Sequence, residues 1–299
     1  MDPYVELQEL GACDLTPVEF VEGVFFKRDD LFAPFGAGSV NGGKLRQGAY
    51  LLASAKEQGY SRILTGCSLI SPQAPMIAAA ARYFGMFCRV FYGGTRMELV
   101  EKRHMPRLAL HYGASISIAK SGRANVLLHA ARKIQQKGDF IVQYGMNSKD
   151  PKHLAAFYES TAAQVQNLPD ELDKLIVSVG SGITVSGILY GLQKYNKKVG
   201  QVVLVGLAPN RESKIRKRLA DLSLQTGVNC WNSKFKYVDL FAAGMAYEKK
   251  FKNISCGEIN FHEHYEAKTY LWYQKNQDLF KNQKVCFWIV GAESQLLKD

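Results

Sequence analysis

Leu175-Ile176-Val177-Ser178-Val179-Gly180-Ser181-Gly182-Ile183-Thr184 is the stretch on which the fold turns. A β-rich apolar run passes straight into a glycine-serine turn, and a helix pattern begins at about residue 184. A strand that ends where a helix starts leaves backbone N–H groups and the positive helix end converging on one spot. That arrangement suits a phosphate.

The same alternation extends in both directions. Arg62–Thr65, Phe87–Tyr92, Ser115–Ile118 and Phe140–Gln143 read as strands, with helix candidates at about 73–84, 98–111 and 121–137 between them. After the quoted stretch come a strand at Val202–Leu207, a helix over about 211–224 and a last strand at Val285–Ile289. Residues 226–260 mix polar and aromatic side chains without a period and are expected to be irregular. Strands alternating with helices at this spacing predict an α/β fold of two open twisted parallel-sheet lobes, with a ligand in the cleft between them. The two strand series divide near 150–170. This predicts a smaller lobe over 48–160, and a larger lobe from 1–47 and 161–299 that carries Lys44 and the glycine-serine turn.

Composition restricts the class. The chain has 299 residues, 47% hydrophobic and 22% charged, which is ordinary for a globular protein with a large core. No apolar run has membrane-spanning length, and Met1-Asp2-Pro3-Tyr4-Val5-Glu6 lacks the basic and apolar regions of a signal peptide, so a cytoplasmic address is expected. Six cysteines are scattered without metal or redox spacing, and those in apolar runs such as Cys88 and Cys286 read as buried free thiols. His262-Glu263-His264 lacks a third metal ligand, so no metal site is expected.

The net charge is +11, yet the first 23 residues hold six acidic side chains and no Lys or Arg. The densest basic cluster is Arg211, Lys214, Arg216, Lys217 and Arg218. A solvated basic face explains it, and so does a polyanionic partner such as DNA; no nucleic-acid-binding motif accompanies it.

A lysine supplies the chemistry. Asn41-Gly42-Gly43-Lys44-Leu45-Arg46 sets an amine on a glycine-rich turn ahead of the apolar helix Ala49–Ala55. An amine that forms an imine with a carbonyl, together with a nest for a phosphate at 180–184, is what holding a phosphorylated aldehyde requires. The combination points to pyridoxal 5'-phosphate.

The order Lys27-Arg28-Asp29-Asp30, glycine-rich stretch, Lys44-Leu45-Arg46 and apolar helix resembles pyridoxal-phosphate enzymes of the tryptophan-synthase-β fold type. Within them it looks most like the branch of aminocyclopropane-carboxylate deaminase and D-cysteine desulfhydrase, over about residues 24–293. The resemblance implies Lys44 as the Schiff-base lysine, and Gly180, Ser181, Gly182, Ile183 and Thr184 as the phosphate loop. It implies Ser71 and Gln73, in Ser71-Pro72-Gln73, as receivers of the substrate carboxylate. Tyr247 and Tyr265 fall on tyrosines near the substrate, and Glu266 falls on the carboxylate that meets the pyridine nitrogen. A carboxylate there keeps the ring protonated and a strong electron sink. Lys44, Tyr247 or Tyr265 would then move protons. Dimers are common in that family.

Departures fall on the substrate side. Pro72 stands where the branch has an asparagine that bonds the cofactor's ring oxygen, and proline offers no donor. Ile183, Gly43 and Val290-Gly291-Ala292 also differ from the common pattern. Three functions follow. The first is a lyase or deaminase acting at Cα or Cβ of an amino acid, in a pocket altered from the standard deaminase. The second is a lyase or decarboxylase acting on an amino-acid-modified base in DNA, as in viral thymidine hypermodification. The third is a non-catalytic scaffold that binds a partner through the basic face.

Overall fold

The computed structural model describes residues 3–245, 248–291, 294, 296 and 297. The chain opens with helix α1 (Pro3–Glu9) and strands β1 (Val18–Val21) and β2 (Val24–Arg28), followed by α2 (Lys44–Glu57). Next come β3 (Arg62–Gly66), α3 (Gln73–Tyr83), β4 (Phe87–Gly93), α4 (Met97–Val100), α5 (His104–His111), β5 (Ser115–Ala119), α6 (Ala124–Ile134) and β6 (Asp139–Val142). Then follow α7 (Pro151–Ala163), β7 (Glu171–Val179), α8 (Ile183–Lys194), β8 (Lys198–Gly206), α9 (Glu212–Thr226) and β9 (Phe235–Asp239). The short β10 (Ser255–Cys256) and β11 (Ile259–Asn260) precede α10 (Glu266–Lys275) and β12 (Val285–Ile289).

Two sheets form two lobes. One is four-stranded in the order β5-β4-β3-β6, and the other six-stranded in the order β1-β2-β12-β7-β8-β9. Every pairing in them is parallel except β1 with β2, a hairpin turned by Glu22 and Gly23 at φ +49° and +82°. Positive φ at both central residues gives the turn twist that a hairpin needs. Strands β7 and β12 lie side by side with Cys286 opposite Leu175, and all five β12 residues are buried. Helices on both faces of the sheet explain why such strands read as unbroken apolar runs.

Each lobe has a point where the chain reverses its direction of travel across the sheet. In the four-stranded sheet the chain goes from β3 outward through β4 to β5, then returns to β6 on the other side of β3. In the six-stranded sheet it goes from β7 outward through β8 to β9, then returns to β12 on the other side of β7. Ligands in open α/β sheets bind beyond the carboxyl ends of the strands at such points. Residues 180–184 follow β7, Val290 and Gly291 follow β12, and Ser71-Pro72-Gln73 follows β3.

Two sequence expectations are corrected. The helix expected over 98–111 is broken after Val100 and resumes at His104, because Pro106 would collide with the carbonyl four residues back in a continuous helix. Residues 226–260 are not wholly irregular, since Phe235–Asp239 forms edge strand β9. An edge strand is covered incompletely, and its mixed burial hid the period. The stretch 150–170, which separates β6 from β7, holds helix α7, started by Asp150 capping the N–H of Lys152 ahead of a first-turn Pro151. Five cysteines are buried free thiols and Cys13 is exposed. No helix among the described residues is long and apolar enough to cross a membrane.

Candidate active site

The loop after β7 builds an anion nest. Gly182 caps α8 at φ +86°, a left-handed conformation that turns the chain from strand into helix. Ile183, the first residue of α8, has its side chain fully buried in the core, so only its backbone faces the loop. Where related loops have glycine, this isoleucine serves as an apolar anchor. Arg218 of α9 donates from Nη1 to the Ser181 carbonyl at 2.8 Å, bracing the loop from behind.

Arg218 belongs to the cluster that the sequence presents as a basic surface, and the structure divides that cluster. Arg218 turns inward, while Arg216 pairs with Glu212 at 2.7 Å and lies over the Phe235 ring. Lys214 and Lys217 remain exposed.

Lys44 is the first residue of α2. The turn before it is held by a buried ion pair, Arg46 Nη1 to Asp29 Oδ1 at 2.6 Å, with the Arg46 guanidinium 3.9 Å from the Phe32 ring centroid. A Cβ on Gly43 would collide with the Asp29 carboxylate, which accounts for glycine in place of asparagine. The adjacent Lys27 donates to the Thr16 carbonyl and to Asn167 Oδ1, both at 2.7 Å. Within the run Lys27-Arg28-Asp29-Asp30, Asp29 therefore braces the Lys44 turn, while Lys27 anchors the run to Thr16 and Asn167. Burial pushes the Lys44 ammonium below its ordinary pKa, against the opposing pull of Glu266. A neutral amine is the form that attacks a carbonyl.

Glu266 opens α10 and is fully buried. Its Oε1 accepts from the backbone N–H of Gly291 at 2.8 Å and of Val290 at 3.1 Å. Its Oε2 has no hydrogen-bond partner among the described residues. A Cβ on Gly291 would lie 2.6 Å from that oxygen, so only glycine leaves it room. Burial raises the carboxyl to about 7, opposed by these backbone donors.

Lys44, Gly180, Ser181, Gly182, Thr184, Tyr265 and Glu266 line one cleft, together with Pro72, Met76, Ser178, Val185 and Val290. The Tyr265 ring lies 4.6 Å from that of His262. Tyr247 lies outside the described residues.

Ser71 and Gln73 are placed differently from the sequence expectation. Neither lines the cleft. The Gln73 amide donates to Thr65 Oγ1 at 2.9 Å and to the Gln143 carbonyl at 3.0 Å, and accepts from the Gly145 N–H at 2.6 Å. It ties β3 to the segment after β6, and no side-chain donor is left for a ligand carboxylate. The Ser71 hydroxyl accepts the Gln73 N–H at 3.3 Å and also bonds the Cys67 thiol, which takes the Ala74 N–H as well. Pro72 and Pro75 have no N–H, and the Met76 N–H goes to the Pro72 carbonyl at 3.1 Å. The start of α3 is thus closed to an anion, a consequence of prolines whose meaning emerges only with the helix start located.

A cofactor can be tested against this cleft. Pyridoxal phosphate asks for an amine, a phosphate nest and an acceptor for its ring N–H. The cleft presents Lys44, the 180–184 turn and the orphaned Glu266 Oε2. A buried carboxylate oxygen without a partner is costly unless a donor arrives. The residues fit the group. Arg218, Asp29, Arg46 and Met76 are site residues that sequence reasoning missed; only the basic row and the acidic pair hinted at them.

Comparison with known proteins agrees. The chain is 26% identical to the O-seryl-dTMP PLP-dependent decarboxylase of Salmonella phage ViI, across 93% of this chain and 81% of that protein. Its fold matches the crystal structure of an ACC deaminase homologue at TM-score 0.75 with 18% identity, covering 93% of this chain and 89% of the other. A pyridoxal 5'-phosphate-dependent aspartate racemase matches at TM-score 0.62 with 16% identity, covering 99% and 96%. The model of the family described as "Pyridoxal-phosphate dependent enzyme" matches residues 3–248, and the chain belongs to that family.

Proposed function

We propose that this enzyme decarboxylates an α-amino acid carried on a thymine nucleotide. The Cα–carboxylate bond breaks, carbon dioxide leaves, and a proton takes its place, so that an amine remains on the same carrier. The observation that carries this reading is the closed start of α3. Deamination and racemisation retain the substrate carboxylate and need donors to hold it throughout the reaction. Here the Gln73 amide and the first-turn N–H groups are already bonded, and two positions are proline. Pro72, Met76, Val185 and Val290 add apolar wall. A carboxylate against such a wall is poorly solvated, which favours its departure as a neutral molecule. The phage relative's activity points the same way.

The bound cofactor supplies an electron sink for charge that develops at Cα. Lys44 would hold it, the 180–184 turn would take its phosphate, and Glu266 Oε2 would accept its ring N–H. Once the substrate amine has displaced it, Lys44 has the lowered pKa needed to shuttle a proton at Cα. Tyr265 lines the same cleft and orients the substrate.

The test is to supply O-seryl-dTMP, free serine and aminocyclopropane carboxylate separately and to measure released carbon dioxide and ammonia. Carbon dioxide from O-seryl-dTMP alone supports the reading; ammonia from the free amino acids with no carbon dioxide would overturn it. Borohydride should trap the cofactor on Lys44 in the parent chain and leave no adduct in Lys44→Ala.

A further inference from the structure

Beside the cofactor cleft lies a second, larger cavity of about 870 Å³ that the chemistry at Lys44 leaves unused. The two share Gly291, whose N–H holds Glu266, and the larger one is also lined by Asn41, three residues before Lys44. It is therefore an antechamber to the reacting centre. A free amino acid of a few heavy atoms would leave most of it empty, whereas cavities of this size enclose drug-sized ligands.

Its walls are charged unevenly. Five cations, Arg28, Lys102, Arg103, Lys250 and Lys252, face three carboxylates, Asp30, Glu258 and Glu263. Arg28 is neutralised by Asp30 and Glu19, and Lys250 by Glu263. Lys102, Arg103 and Lys252 form no ion pair with any described residue. Lys102 and Arg103 sit in the break between α4 and α5 on the smaller lobe, and Lys252 sits on the segment before β10 on the larger lobe. Three exposed cations from two lobes thus converge on one cavity in which, among the described residues, Glu258 is the one carboxylate not committed to another cation.

Resting on the nucleotide reading above, we propose that this antechamber is a nucleoside-phosphate subsite. In it Lys102, Arg103 and Lys252 take the phosphate while the amino acid borne on the base enters the cleft at Lys44. Phosphate contacts fix register without reading sequence, which is what delivery of one pendant group to a fixed amine requires. The phosphate can belong to a free thymidine monophosphate or to thymidine within a strand, and the chemistry is the same.

The test uses the pyridoxal-phosphate-loaded enzyme and a fluorescein-labelled single-stranded thymidine oligonucleotide, read by anisotropy across a salt series. Replacing all three residues by alanine should weaken binding and reduce the slope of log affinity against log salt by about 2, since each single-strand phosphate contact contributes roughly 0.7. The K102R/R103K/K252R variant should keep the parent slope. Unlabelled dTMP competing as well as unlabelled oligonucleotide assigns the site to the free nucleotide, and competition by the strand alone assigns it to DNA; either supports the subsite. Parent-like affinity and slope in the alanine variant would overturn it. Cofactor absorbance should be unchanged in that variant, since none of the three lines the cleft. If binding falls as expected but no aminoacyl nucleotide loses carbon dioxide, the decarboxylase reading fails and the phosphate subsite stands. If carbon dioxide is released and binding in the variant is unimpaired, the subsite fails and the decarboxylase reading stands.

Discussion

Glu266 carries two opposed demands in one side chain. Its raised pKa means that, between the ordinary carboxylate value of 4.5 and about 7, the native cofactor-free chain binds more protons than the unfolded one. Stability therefore falls as pH rises through that window, and the full penalty, about 3 kcal/mol, is present above it. Glu266→Gln removes the charge while keeping an oxygen for the Val290 and Gly291 N–H groups. The cofactor-free variant should melt higher than the parent at pH 8 and close to it at pH 4.5, by calorimetry. The same change should lower decarboxylation, because an amide does not keep the ring nitrogen protonated. Equal melting shifts at both pH values would contradict the assignment. The buried Asp29–Arg46 pair is the other residue-scale case. Asp29→Ala strands a buried guanidinium and should cost about 3–5 kcal/mol in denaturant unfolding.

At the scale of elements, α9 acts on the phosphate loop without lining the cleft. Arg218 holds the Ser181 carbonyl and so sets the direction of the neighbouring N–H groups. A charged hydrogen bond of this kind contributes about 1.5 kcal/mol. Arg218→Ala should therefore weaken pyridoxal phosphate roughly tenfold in a spectral titration, with Arg218→Lys recovering part of the loss. A loss in turnover with unchanged cofactor affinity would show that the arm serves something other than the loop. The break between α4 and α5 is likewise functional in placement, since Pro106 ends a continuous helix and frees Lys102 and Arg103 to face the antechamber.

For the whole molecule, the cofactor cleft takes residues from the end of β7 and the turns after β7 and β12 in one lobe, from the start of α3 in the other, and from the first residue of α2. A ligand bound there joins the lobes and should stabilise the folded chain by mass action. At one hundred times its dissociation constant the gain is about 2.7 kcal/mol. Thermal unfolding with saturating pyridoxal phosphate should shift upward, and the shift should shrink in Lys44→Ala, in which the covalent tether is gone. An identical shift in that variant would place the binding site elsewhere.

By itself, the sequence determined the sheet-forming strands and the chemistry of the cofactor. Runs such as Val285–Ile289, buried on both faces, announce themselves because every side chain must be apolar, and the strand-to-helix turn at 180–184 is local in the chain. Lys44 and Glu266 were legible as residue types in recognisable surroundings. Tertiary structure alone decided what happens to groups whose partners lie far away in sequence. The Gln73 amide was spent on Thr65, Gln143 and Gly145, and Arg218 left a basic row for a carbonyl 37 residues back. Lys102 and Lys252 came to share one cavity from opposite lobes. Hydrogen-bond valence and charge neutralisation are settled between neighbours in space, and no local pattern along the chain records which neighbours those will be.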